Sequence, residues 1–198
     1  MSSRKRRQPR DVWSFIVDGD TEKWYLDLMK QHERARLPKV HIRPEIPKKK
    51  KLRDLREQVL ENAESYDRVF WIVDLDAIIH DEQLEEFRNI VRELREIDNV
   101  SVLVNGPCLE FWFLLHFKET AKIFPECSHV EKQLRRIPVL KDYKKTEKYY
   151  KTGTDIYSKL KDYQQTAVKN AEKLGEFSLT EGRQAVAEIG RVFNLIGS

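Results

Sequence analysis

The chain has 198 residues, 40% apolar and 10% aromatic, enough to bury a sizeable core. No stretch of about 18 consecutive apolar residues occurs, so no transmembrane helix is expected, and the basic first ten residues lack the apolar stretch of a secretory signal. The net charge of +4 is uneven: Arg4, Lys5, Arg6, Arg7 and Arg10 form an acid-free arm, and the rest of the chain holds 32 basic against 33 acidic residues. Neither helix-turn-helix nor zinc-finger spacing is visible, which argues against a sequence-specific DNA reader. Cys108 and Cys127 lack metal-site spacing, and a reduced, cytoplasmic compartment is the expectation.

In chain order, Val12 to Val17 reads as a strand and Thr21 to Arg36 as a helix with Trp24, Leu28 and Met29 near one face. Val40 to Ile46 alternates, and Pro44 assigns it to a sheet edge. Leu52 to Ser65 is helical, Val69 to Val73 is a strand apolar on both faces, and Asp81 to Ile97 is a long amphipathic helix. Val100 to Val104 is a further strand, and Asn105-Gly106-Pro107 opens an apolar helix from Cys108 to Phe117. This alternation predicts an α/β fold with a mostly parallel sheet of about four strands covered on both faces. From about Lys118 the strand signals stop. Glu131 to Ile137, Tyr143 to Tyr150, Thr154 to Leu174 and Thr180 to Ile196 read as helices. The expected organisation is a basic flexible arm over 1–10, an α/β domain over 11–118 and a helical extension over 119–198.

The chemistry gathers at strand ends, where sites form in open α/β sheets. Asp74 and Asp76 follow the apolar run Val69 to Val73. Side chains two apart on a strand share a face, so the pair would lie together, and two adjacent carboxylates need a partner. Mg²⁺ is a suitable one, taking carboxylate and water oxygens; the plainer account is a solvated pair capping the next helix. Asp18-Gly19-Asp20-Thr21-Glu22 also ends a strand in acids. Gly19 permits a tight turn, Glu22 is either a helix-start carboxylate or a ligand, and Asp20 reads as a solvated turn residue. Glu110 is the single acid of the apolar helix, either stabilised by the helix start or engaged with a metal. His116 reads as a core histidine.

These three blocks, Asp18-Gly-Asp-Thr-Glu22, Asp74-Leu-Asp76 and Pro107-Cys-Leu-Glu-Phe-Trp-Phe-Leu-Leu-His-Phe117, resemble the RloB-like family of bacterial and archaeal defence loci. The resemblance spans residues 12 to about 150 and includes a Lys/Tyr-rich stretch, Tyr143 to Tyr150. It implies a relative of Toprim domains: a three-layer fold with a Mg²⁺- or Mn²⁺-dependent phosphodiester site built from a glutamate after the first strand and a DxD pair. One position departs. The family's glutamate before Gly19 is Asp18 here, which draws the carboxylate back by roughly 1.5 Å.

The expected function is therefore a metal-dependent nuclease acting on RNA or DNA in antiviral defence or abortive infection. Asp18, Glu22, Asp74, Asp76 and Glu110 are its catalytic candidates, the first four as metal ligands. Lys48, Lys49, Lys50, Lys51, Lys141, Lys144 and Lys145 are candidates for nucleic-acid binding, as is the basic arm. Each of the last three lysines, taken singly, also reads as part of a solvated face. Tyr150 and, less readily, Trp112 are candidates for stacking on bases. The rival reading is a catalytically weak binding or sensor module. The resemblance implies an ATPase of the AAA or ABC type as partner, and this chain has no GxxxxGK[ST] of its own. A homo-oligomer is the other assembly considered, and no membrane partner is expected.

Overall fold

The structure is a computed structural model and describes residues 11–37 and 40–197. The basic arm of residues 1–10 lies outside the described residues. The first half alternates strand and helix: β1 (Asp11–Ile16), α1 (Asp20–His32), β2 (Val40–Glu45), α2 (Leu52–Ser65) and β3 (Arg68–Asp74). Then come α3 (Leu75–His80), α4 (Leu84–Leu94), β4 (Val100–Gly106) and α5 (Leu109–Leu115). The last third adds α6 (Cys127–Leu134), α7 (Glu147–Lys151), α8 (Ile156–Leu160), α9 (Gln164–Glu172), β5 (Val186–Ala187) and α10 (Gly190–Gly197). The result is an α/β fold with a five-stranded sheet in the order β2-β1-β3-β4-β5, parallel except for β5. Pro44 lies on the edge strand β2, as its missing N–H requires.

Alternation along the strands divides the apolar residues between two layers. Trp13, Phe15, Val17, Phe70, Ile72 and Leu103 face α1, α5 and the helices of the last third. Ile16, Val69, Trp71, Val73, Val102 and Val104 face α2 and α4, meeting Leu55, Val59, Phe87 and Val91. Near-continuous apolar strands are what a sheet covered on both faces demands.

Several expectations are corrected. The sheet has five strands, because the last third, expected to be helical throughout, supplies β5. Gly106 makes this possible: a Cβ there would come within 2.2 Å of the Gln184 carbonyl oxygen. The helix expected over 180–196 therefore begins only at Gly190. Before it, the Gln184 side chain accepts the Ser178 N–H and donates to the Ser178 carbonyl, holding the segment as a loop.

The chain also turns helical at once after Asp74. α3 has six residues, too few for a periodicity to show, and Glu82 at φ 56° separates it from a shortened α4. Asp76 thus sits in the first turn of a helix instead of on a strand, and the two-apart strand argument does not hold for it. The helix expected over 154–174 is interrupted by a 3-10 turn at Lys161–Tyr163 between α8 and α9.

The last third is packed into the same core. Trp112 of α5 stacks on Phe193 of α10 at 5.3 Å, and Asn170 of α9 donates to the Leu115 carbonyl.

Candidate functional site

The connection from β1 runs outward to β2, and the next returns across β1 to β3 on its other side. Strand order therefore reverses between β1 and β3, and a crevice opens beyond their carboxyl ends. Asp74 ends β3, in register with Asn105 of β4, on the same side of the sheet as Phe70, Ile72 and Leu103. α1 and α5 start at this edge on that side, carrying Glu22 and Glu110 in their first turns.

Each acid is held by a definable local reason. Glu22, 4% exposed, accepts from Thr21 Oγ1 at 3.0 Å. Gly19 makes room for it, since a Cβ there would lie 2.9 Å from Glu22 Oε2. Asp74 Oδ1 accepts the backbone N–H of Leu109 at 3.0 Å, satisfying the first free amide of α5. Asp76 Oδ2 does the same for Cys127 at the start of α6, at 3.1 Å. The Asp76 amide donates in turn to the Pro107 carbonyl, tying α3 to the segment before α5. No hydrogen-bond donor among the described residues meets the second oxygen of Asp74 or of Asp76, and neither oxygen is sealed from solvent.

Glu110 is fully buried and both its oxygens are engaged. Tyr143 donates its hydroxyl to Oε1 at 2.5 Å, and the Tyr143 and Tyr150 hydroxyls are 2.8 Å apart. Lys145 Nζ pairs with Oε2 at 3.1 Å. Cys127 Sγ lies 3.0 Å from Oε2 and 3.2 Å from Lys145 Nζ. That sulfur is bonded to Cys108. It carries no proton, so its approach to Glu110 is a contact, not a hydrogen bond. The expectation of reduced cysteines is corrected here: 19 residues apart in sequence, their Cα atoms are 5.7 Å apart across the α5 and α6 starts.

The electrostatics follow from this crowding. Burial pushes the Asp74 carboxyl well above its ordinary range, and the charges of Glu22, Glu110 and Asp76 push it further against the pull of Lys145. Glu22 is raised chiefly by burial, with Glu110 adding to it. Partial burial alone would lower the Lys145 ammonium, but Glu110, Asp74 and Glu22 outweigh it and hold it above its ordinary value. The Tyr143 and Tyr150 hydroxyls are pushed up by burial first and by Glu110 among the nearby groups. Several carboxylates thus meet one ammonium.

Residues 15–197 match the family described as RloB-like protein. The chain belongs to the RloB-like family. No curated protein and no solved structure matches it. In this RloB-like chain the structure distinguishes among the residues singled out from sequence. Glu22, Asp76 and Glu110 all act by charge on Asp74, and Lys145 is close enough to act on Asp74, Glu22 and Glu110. Asp18 lies in the turn after β1, with its side chain 49% exposed and paired with Lys50 at 3.1 Å. Together with Asp74, Trp71 and Leu55 it lines a small cavity of about 110 Å³.

Lys141 and Lys144 are exposed, as are Lys48 to Lys51. Lys48 and Lys49 line a surface cleft of about 690 Å³ together with Glu45, Asp54, Glu57 and Glu61, so its charge is mixed. Tyr150 and Trp112 are fully buried, which corrects their assignment as base-stacking residues; Trp112 donates instead to the Tyr25 hydroxyl. His116 is buried, as expected for a core histidine, with Nδ1 against the Trp112 carbonyl. Sequence reasoning missed Tyr143 as a partner of Glu110, and Cys127. The density of tyrosine over 143–150 was the available signal for the first.

Proposed function

We propose that this RloB-like chain cleaves phosphodiester bonds of RNA or DNA at the acid cluster on the β1/β3 edge, with Mg²⁺ or Mn²⁺ as cofactor. The observation that carries the reading is the gathering of Glu22, Asp76 and Glu110, from three other segments, close to Asp74, with Lys145 paired to Glu110. Such an excess of buried negative charge is costly unless a cation offsets it. The donor set suits a hard divalent ion: Asp74 and Asp76 are half-buried, and each keeps one oxygen that meets no donor among the described residues, with Glu22 close to Asp74. These three residues would hold the ion. When bound, it would polarise the scissile phosphate and lower the pKa of a coordinated water.

The chain's own residues do the rest. The amides that start α5 and α6 fix the Asp74 and Asp76 carboxylates. Tyr143 and Lys145 occupy both oxygens of Glu110, which makes it a positioning residue, and Lys145 brings the positive charge nearest the cluster. Lys48 to Lys51 and the basic arm steer nucleic acid by charge. We read the fold as Toprim-like, and the role as an effector of antiviral defence beside an AAA- or ABC-type ATPase, on the family resemblance. The test is Mg²⁺- or Mn²⁺-dependent cleavage of labelled RNA and DNA by the wild type, Asp74→Asn and Asp76→Asn. Cleavage lost in both variants is expected; equal cleavage in all three removes the cluster from the mechanism.

One observation favours a second reading, a weak or inactive sensor module. Asp18, which stands where the family has its glutamate, is tied to Lys50 on the surface. Under that reading Mn²⁺ still binds the cluster but no nucleic acid is cut.

A further inference from the structure

The Cys108–Cys127 bond lies against the cluster and is unevenly exposed: Cys108 is 0% exposed, whereas Cys127 is half-buried. Cys127 connects to the site three times. Its sulfur is 3.0 Å from Glu110 Oε2 and 3.2 Å from Lys145 Nζ, and its amide donates to Asp76 Oδ2. The bond therefore fastens the first residue of α6 to the start of α5, where it serves as the amide donor for one candidate ligand and touches the carboxylate and ammonium beside it.

We propose that Cys127 is a thiol-exchange site through which low-molecular-weight thiols or protein dithiols regulate the acid cluster. The accessible sulfur decides the direction of attack. A thiolate RS⁻ attacks Cys127 Sγ; the RS–Sγ bond forms, the Sγ–Sγ bond to Cys108 breaks, and the electron pair leaves on Cys108 sulfur, which takes up a proton. The second thiol of a dithiol then displaces Cys127 as a thiol. In balance, one protein disulfide and one dithiol become two protein thiols and one external disulfide.

Reduction removes the covalent tie that holds α6 at the site, so the Cys127 amide no longer stays fixed on Asp76 and Glu110 loses its sulfur neighbour. The consequence for cation binding rests on the function proposed above; the exchange itself does not.

The full chain, purified in air, is treated under native conditions with glutathione or dithiothreitol, acid-quenched and mapped by mass spectrometry. The expected result is a glutathione adduct on Cys127, and two free thiols after dithiothreitol. Reduction should speed amide exchange over residues 127–134. It should also weaken Mn²⁺ binding about fivefold, the size of one lost helix-cap hydrogen bond. The double variant C108S/C127S should show no response to dithiothreitol. A bond that dithiothreitol opens only in denaturant, or an adduct on Cys108, overturns the proposal. So does amide exchange or Mn²⁺ affinity identical in the two redox forms. If neither form binds Mn²⁺, the metal reading of the cluster fails, and the adduct position and amide exchange alone decide the thiol-exchange site.

Discussion

The two faces of the sheet are built to different ends. Toward α2 and α4, the strands β1, β3 and β4 present aliphatic and aromatic side chains and one buried polar residue, Ser14, which Asn62 satisfies. Toward α1 and α5, the layer holds an aromatic core and also Glu22, Asn105, Glu110 and His116, all buried. Among the described residues the Asn105 amide meets no partner at either polar atom, and His116 Nε2 meets none. Buried polar groups without partners reduce stability, and Asn105, in register with Asp74 at the carboxyl end of the strands, places part of that cost where the acids gather. The comparison separates substitutions that unfold the chain from those that silence it.

The largest effect belongs to the apolar face. Phe87 packs its ring 5.7 Å from Trp71 and 5.6 Å from Phe177, so Phe87→Ala should cost about 3–5 kcal/mol in urea unfolding. Cleavage per folded molecule should stay unchanged. Next is His116 on the polar face, held neutral chiefly by burial, with its value pulled down from 6.5 to about 4. A histidine lowered in this way supports the folded state above pH 6.5 and withdraws that support as pH falls toward 4. The loss should approach roughly 3 kcal/mol over that window, and His116→Phe should flatten it in chemical denaturation across pH.

Lys145→Met should lower cleavage about tenfold by removing the cluster's positive charge. It should also destabilise the fold, by up to roughly 3 kcal/mol, because Glu110 is fully buried and would lose its ionic partner. The smallest effect sharpens the comparison most. Asp18→Asn, at the exposed pair with Lys50, should change cleavage by less than about threefold, the scale of an exposed ion pair. Glu22→Gln should abolish cleavage. The reverse order would make Asp18 the working acid.

Much of this was legible in the sequence. Apolar runs and caps located β1, α1, β2, α2, β3, β4 and α5 to within a few residues, because each is long and its period is clear. The convergence of Asp74 and Glu22 followed from a parallel sheet whose strands end in acids. The rest depended on contacts that no local pattern records. α3 was hidden because six residues complete less than two turns. β5 depended on a close approach to Gly106 from about 80 residues away. That Lys145 reaches Glu110, and that Asp18 pairs with Lys50, depended on side-chain direction, which spacing alone does not give. The pairing of Cys108 with Cys127 required knowing that α6 starts beside α5.

The central claim is that the acids on the polar face form one cation site. Titrating the air-oxidised chain with Mn²⁺ by calorimetry, beside the D74N/D76N variant, tests it most directly. Asparagine keeps an acceptor for the Leu109 and Cys127 amides while removing charge, so the fold should persist. Saturable binding by the wild type that disappears in the variant is the predicted result; heats that match in the two proteins, or no binding by either, would contradict it.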